Sequence, residues 1–398
     1  MSKNKIFSKI FSPIQLPDRL PSHIPALDGL RGMAILLVLG YHYLWMIPIF
    51  HVGWVGVDLF FVLSGFLITG ILLDTKEEKN CYKNFIIRRA LRIFPLYYLV
   101  LITLFIIDPV LNLNIPGNKF GFYQEHQIWF WVYMQNWLLG YYGLPDNYIL
   151  AHFWSLAVEE QFYLIWPFIV LFNSRKKIIQ ISLMLIVFAI IFRLKLGSII
   201  GFNNPYYSYS TTLARMDALL IGGIAAIMIR YNKELLEKVV KFIFILSGLL
   251  IIASFLLLHS LNFYTLLPKQ TLFYSVIDLF FMCMLILNLN TSPFRNLRIF
   301  ESNFLRFLGK YSYGIYVYHN IIYESFIHHF FISSGGQPVT NFKNKVVLSI
   351  TSLSFTIILS LISYHFWEKP FLKLKNYFTL YKNTKNIVPK NEQSTVIN

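Results

Sequence analysis

Two apolar runs, residues 33–50 and 53–73, follow one another with only His51 and Val52 between them. As a helix, a run of about 20 apolar residues crosses a hydrocarbon core of roughly 30 Å. Backbone groups in lipid must be bonded within their own segment, so helices are the expected elements. The short connector predicts a tight antiparallel hairpin. Each run carries an ionisable residue, His42 in the first and Asp58 in the second. Such groups are costly at membrane depth and are functional candidates for that reason.

Spacing adds detail. Arg31 precedes His42 by eleven residues, which brings both side chains to nearly the same helix face about 16 Å apart along the axis. Arg31 then marks the start of the first helix and His42 lies near mid-membrane. His42 and Asp58 sit at matched distances, about 12 Å, from a turn near Phe50. A hydrogen bond between them would fix the imidazole tautomer and leave its other nitrogen to act as a base. The plainer alternative is a satisfied structural pair inside a bundle.

Composition extends the pattern to the whole chain. It has 398 residues, 56% hydrophobic, 18% aromatic and 14% charged, with a mean hydropathy of +0.55. That excludes a soluble globular class and predicts an all-α integral membrane protein. About ten spans are expected, near residues 33–50, 53–73, 93–111, 151–172, 178–196, 212–229, 242–259, 271–290, 311–332 and 346–366. The formal charge of +16 gathers in the N-terminal tail, in the loops after the even-numbered spans and in the C-terminal tail. By the positive-inside rule both termini are cytoplasmic, and the charge reads as a topology signal rather than a nucleic-acid footprint. The domains expected are a basic cytoplasmic tail at 1–23, a ten-span unit at 24–370 and a cytoplasmic tail at 371–398. No cleavable signal peptide is evident. The two cysteines, Cys81 and Cys283, imply neither a disulfide framework nor a thiol metal site. No internal repeat is seen, which disfavours inverted-repeat transporters.

Other polar residues interrupt the spans. Span four holds the adjacent acids Glu159 and Glu160, which point about 100° apart, so at most one faces the bundle centre. Span six opens with Arg215 and Asp217, which fit one polar cluster or, for Arg215, a snorkelling position near the outer face. Gly222 and Gly223 suit close helix packing. Ser312, Tyr316 and His319 share a stripe of span nine, where an interfacial aromatic belt would also account for the tyrosines. The segment 83–95 is expected to be an amphipathic helix leading into span three. Its Arg88, Arg89 and Arg92 lie within reach of one another and suit phosphates or anionic lipid headgroups. Residues 127–139 suit a partial or interfacial helix.

Together these motifs resemble the membrane acyltransferase-3 family. The matching residues are Leu27-Asp28-Gly29-Leu30-Arg31 with His42, Gly56-Val57-Asp58-Leu59-Phe60-Phe61 with Ser64-Gly65-Phe66, and Arg89 and Arg92 before Pro95. Further on they are Trp154-Ser155-Leu156 with Glu159, Gln161, Phe162 and Tyr163, Arg215 with Asp217, Ser312-Tyr313 to His319, and Glu368 before Pro370. The resemblance covers 24–370. It implies an enzyme that transfers an acyl group, usually acetyl, from cytoplasmic acetyl-coenzyme A to a hydroxyl. The acceptors in such a family are often extracytoplasmic glycans: lipopolysaccharide O-antigen, peptidoglycan, exopolysaccharide or Nod factors, with small molecules such as macrolides for some relatives. It assigns the Arg–ten residues–His pattern to Arg31 and His42, and donor handling to Arg89 and Arg92. Some members carry a fused extracytoplasmic domain of the SGNH type, which is not expected in this chain.

The expected catalytic set is His42, Asp58, Arg31 and Glu159, with His42 as base or transient acyl carrier. Arg88, Arg89 and Arg92 are expected to bind the donor. Ser64, Tyr163, Arg215, Asp217 and His319 are expected in a substrate or bundle polar network. No metal is expected. The expected partners are membrane lipid and a glycan or lipid-linked glycan acceptor, and the expected place is the bacterial cytoplasmic membrane. A transporter or flippase for a lipid-linked sugar would use the same buried His, Asp and Glu and stands as the alternative. An enzyme consumes donor without a gradient and a carrier does not. A structural membrane scaffold, the third class, would leave changes at His42 and Asp58 without effect beyond stability.

Overall fold

The computed structural model describes residues 24–115, 120–196, 199–201, 204, 206–258, 271–289, 299–327 and 342–378. The tail expected at 1–23, the chain after 378, Arg295 and Arg298, and residues 333–341 lie outside the described residues. Every regular element among the described residues is helical. The long helices are α1 (Pro25–Tyr43), α2 (Gly56–Thr75), α3 (Cys81–Ile102), α4 (Trp154–Phe172), α5 (Arg175–Ile191), α6 (Thr212–Tyr231), α7 (Lys233–Leu258), α8 (Thr271–Asn288), α9 (Asn303–Phe326) and α10 (Phe342–Ser363).

The opening hairpin differs from the expected one. Helix α1 begins at Pro25, after an extended Ile24, because proline suits the first helical position. Arg31 therefore lies inside the helix rather than at its start. The helix ends at Tyr43, since Ile47 precedes Pro48 and is held extended at φ −109°, ψ 115°. The connection is then Leu44 to Ile47 followed by the 3₁₀ segment Pro48–Val55, not a tight turn. Ser349 Oγ donates to the Tyr43 carbonyl at 2.5 Å and satisfies one orphan group at this helix end. His42 sits in the last turn of α1 and Asp58 in the first turn of α2.

Segment 83–95 is helical and leads into the third span as expected, since α3 runs through Pro95 and continues as the π turn Thr103–Ile107. Beyond Pro370 the chain stays helical, through Lys369–Leu374 and Lys375–Tyr377. Between α3 and α4 the partial helix expected over 127–139 is split into Gln127–Trp131 and Gln135–Tyr142, where Tyr133 takes φ +55°. Gln161 holds this break by donating to the Tyr133 carbonyl (2.7 Å) and to Asn136 Oδ1 (2.9 Å).

Glycine sets two close crossings. A Cβ on Gly32 would lie 1.9 Å from the Leu305 carbonyl oxygen, and one on Gly309 would lie 1.8 Å from that of Asp28, so α1 and α9 meet backbone to backbone. Gly65 and Gly222 play the same part between α2 and α6. These four helices form the centre. The spans Pro48–Thr75 and Tyr207–Tyr231 are 72% and 78% buried within the protein, against 28% and 33% for Arg175–Leu194 and Phe342–Tyr377, whose apolar side chains face outward.

Six helices among the described residues are long and apolar enough to cross a membrane. Helices α1 and α9 are not among them. They carry Asp28, Arg31 and His42, and Lys310, His319 and Asn320, of which His319 and Asn320 are buried. The tyrosines of α9 are likewise inside the bundle rather than in an interfacial belt, with Tyr311, Tyr316 and Tyr318 all buried.

Candidate active site

Three cavities lie in a row along α1 and α9, each sharing wall residues with the next. The first is a basic mouth formed by Arg31, Arg92, Arg306 and Lys310, with Asp28 and Glu368. Arg31, Arg92 and Tyr313 also line the second cavity, together with Arg89, Ser64, Glu159, Tyr163 and Ser155. Val57 and Tyr316 line both the second and the third. The third is the roomier, about 410 Å³ against about 90 Å³ in the second.

The second cavity is the basic chamber. Tyr163 OH donates to Ser64 Oγ at 3.1 Å, and Ser64 Oγ donates to Glu159 Oε1 at 2.5 Å. Helix geometry selects between the two acids: Glu159 lines this chamber while Glu160 does not. Arg89 lies over the Tyr163 ring, 5.5 Å from its centroid. Arg31 reaches Asp28 at 3.2 Å. Several guanidinium groups around one opening match a polyphosphate, since each offers fixed donors to anionic oxygens.

Arg88 does not belong to this set, contrary to the sequence expectation. Its Nη1 donates to the carbonyls of Lys375 (2.8 Å) and Phe378 (3.1 Å). It clamps the helical extension after α10 onto α3. Helical spacing brought the three arginines together, but one residue is about 100° of rotation, and that turns Arg88 away from Arg89.

The third cavity is the histidine chamber. His42 lines it with His152, Asn320 and Glu324, among the aromatic side chains of Tyr41, Trp45, Trp54, Tyr148, Trp154, Tyr206, Tyr209 and Tyr323. Such walls, apolar faces with a few polar groups, are the usual make-up of a small-molecule site. At the neck, Ser155 Oγ lies 2.5 Å from Tyr316 OH, and Tyr316 OH donates to the His152 carbonyl at 2.9 Å. Arg31 and His42 thus face successive cavities from one helix stripe.

The expected His42–Asp58 hydrogen bond is absent. Asp58 is fully buried and pairs with Arg215 of α6. The Arg215 guanidinium stacks on Tyr274 at 4.1 Å. Next to it Arg193 binds Asp217 at 2.7 Å, and Ser275 Oγ donates to the same carboxylate at 2.7 Å. Asp278 is buried in the same region. Arg215 is therefore not snorkelling, and Arg215 and Asp217 line none of the three cavities. Matched depth put His42 and Asp58 at one level, but Arg215 takes up the carboxylate, because a buried carboxylate is far better compensated by a guanidinium than by a neutral ring.

His42 meets the rings of Tyr41, with centroids 5.1 Å apart, and of His319, 4.7 Å apart, and His152 stands 4.7 Å beyond His319. Sequence reasoning does not single out His152, Arg193 or Asp278, although each stands in or beside an apolar run and the rule that selects His42 applies to them equally. Among the described residues no group of His, Cys, Asp or Glu has the arrangement to hold a metal ion. Cys81 and Cys283 are free and buried.

The family described as Acyltransferase domain matches residues 24–366. Among curated relatives, the peptidoglycan O-acetyltransferase OatA of Listeria monocytogenes is 29% identical over 389 residues, covering 92% of this chain and 59% of the relative. A putative O-acetyltransferase of Staphylococcus aureus is 31% identical, covering 88% of this chain and 57% of the relative. The putative peptidoglycan O-acetyltransferase YrhL of Bacillus subtilis is 31% identical, covering 87% and 54%. The chain thus spans somewhat over half the length of the curated relatives it matches. No solved structure matches it. With its apolar helices, its row of cavities and a match over most of its length, the chain is a multi-pass integral membrane protein and belongs to the acyltransferase-3 family.

Proposed function

We propose that the protein is an O-acetyltransferase of the bacterial cytoplasmic membrane that moves an acetyl group from cytoplasmic acetyl-coenzyme A to a hydroxyl of a cell-envelope glycan. The observation that carries this reading is the row of cavities, basic at one end and histidine-lined and aromatic at the other. In this reading the chain has ten spans with both termini cytoplasmic and the basic mouth opens to the cytoplasm, which the positive-inside rule supports through the arginines and lysines that line it. Arg92, Arg306 and Lys310 hold the phosphates of the donor at the mouth, with Arg31 and Arg89 deeper. The narrow pantetheine arm fits the basic chamber and brings its thioester to the neck at Val57 and Tyr316.

His42 waits on the far side of that neck. It takes the proton of the acceptor hydroxyl, or it takes the acetyl group itself and passes it on. The aromatic walls suit the apolar faces of sugar rings, while Asn320 and Glu324 are placed for their hydroxyls. Peptidoglycan, named for the Listeria and Bacillus relatives, is the first acceptor to test, ahead of O-antigen and exopolysaccharide.

The test uses purified protein in detergent with labelled acetyl-coenzyme A and defined glycans, alongside mass spectrometry of envelope glycans with and without the gene. Transfer without any ion gradient is expected, and His42→Ala should abolish it while the protein still folds and inserts. A flippase or carrier would leave the donor unconsumed, and a fully active His42→Ala protein would reject the assigned role.

A further inference from the structure

A catalytic imidazole needs an acceptor for the ring N–H that points away from the reaction, and Asp58 is not that acceptor. Directly behind His42 lies His319, fully buried, with ring planes inclined at 64°. Its Nδ1 is 2.6 Å from the Tyr316 carbonyl oxygen. A carbonyl only accepts, so Nδ1 carries the proton and Nε2 is a bare lone pair. Among the described residues no group hydrogen-bonds that Nε2. An unpaired buried acceptor is costly, so one held this firmly calls for a donor. It is held firmly: Tyr43 OH donates to the His319 carbonyl at 2.8 Å. His152, on the other side, is fixed in the same manner, with Nε2 3.1 Å from the Val317 carbonyl oxygen and a bare Nδ1. Among the described residues the partners of His152 and His319 are backbone carbonyls, not carboxylates. His42, by contrast, opens on the chamber.

We propose that His319 is the positioning residue for His42, its bare Nε2 accepting the second N–H of the His42 ring in place of the carboxylate usual in such pairs. The proposal rests on the assignment of His42 above. In the base route, the hydroxyl proton moves to the chamber-facing nitrogen of His42 as the oxygen bonds to the thioester carbonyl carbon. His319 Nε2 holds the other N–H of the imidazolium. Collapse breaks the C–S bond, and the thiolate takes the proton back from His42. Nothing is oxidised or reduced and His319 keeps its own proton throughout. In the carrier route the same bond aims the attacking nitrogen, so the proposal does not depend on which route is used.

The experiment measures kcat and donor KM for the full chain in detergent with His42→Ala, His319→Ala, His319→Gln and His319→Asn. The amide of glutamine reaches the Nε2 position and that of asparagine stops near Nδ1. His319→Ala should lower kcat by about 100-fold with donor KM within about threefold. His319→Gln should be faster than His319→Asn by about 10-fold or more. A His319→Ala kcat within about threefold of the parent overturns the proposal. Should the alanine variant fail to fold, the amide pair decides: equal rates, including none from either, overturn it. An active His42→Ala sinks the reading of the site itself, whereas an inactive His42→Ala beside unimpaired His319 variants sinks only this inference.

Discussion

At the scale of single residues, the two ionisable groups of the opening hairpin have different surroundings. His42 faces a cavity with its ring against that of His319, while Asp58 is fully buried against Arg215. Removing one partner of a buried ion pair leaves an uncompensated charge and costs about 3–5 kcal/mol. Asp58→Ala should therefore lower the melting temperature and the yield of folded protein, while the folded fraction keeps its transfer activity. His42→Ala should do the reverse. Thermal unfolding alongside specific activity separates the two, and a well-folded but inactive Asp58→Ala would restore the acid–histidine pair. That His42 would face the interior was legible because an imidazole in an apolar run is rare and costly. Its partner was not, because depth along a helix says nothing about which neighbour lies across.

At the scale of elements, α3 shows how one turn of helix divides labour. Arg89 and Arg92 face the basic cavities, whereas Arg88 bonds the carbonyls of Lys375 and Phe378. Hydrogen bonds to charged groups contribute about 1.5–3 kcal/mol each, and about 1.4 kcal/mol is tenfold in affinity. Replacing Arg89 and Arg92 by alanine should raise the apparent KM for acetyl-coenzyme A by about 10-fold or more. Arg88→Ala should leave that KM nearly unchanged and instead loosen the helical extension, seen as faster proteolysis after Ser363. Unchanged donor dependence in the Arg89 and Arg92 variants would count against the phosphate assignment. The glycines of the two close crossings were visible in sequence as candidates for packing. Which helix each would meet was not.

At the scale of the whole molecule, the row of cavities makes a statement about access. With Cys81 and Cys283 replaced by serine, Ser312→Cys in the basic chamber should react with a charged thiol reagent from the cytoplasmic side and be protected by acetyl-coenzyme A. Val38→Cys in the histidine chamber should react from the opposite side. Both positions labelled from one side would contradict the proposed orientation.

Membership of a helical membrane class followed from the pattern of apolar runs alone, since lipid leaves the backbone few ways to satisfy its polar groups. The stripe linking Arg31 to His42 followed too, because both lie on one helix and the helical repeat is fixed. Contacts between helices were a different matter. That Asp58 meets Arg215, that His42 meets His319 across 276 residues or more of chain, and that the cavities share walls at Tyr313 and Tyr316, depends on helix crossings set by glycine contacts far apart in sequence. Those crossings are decided by packing in three dimensions, where a rotation of one residue's worth sends a side chain to another neighbour.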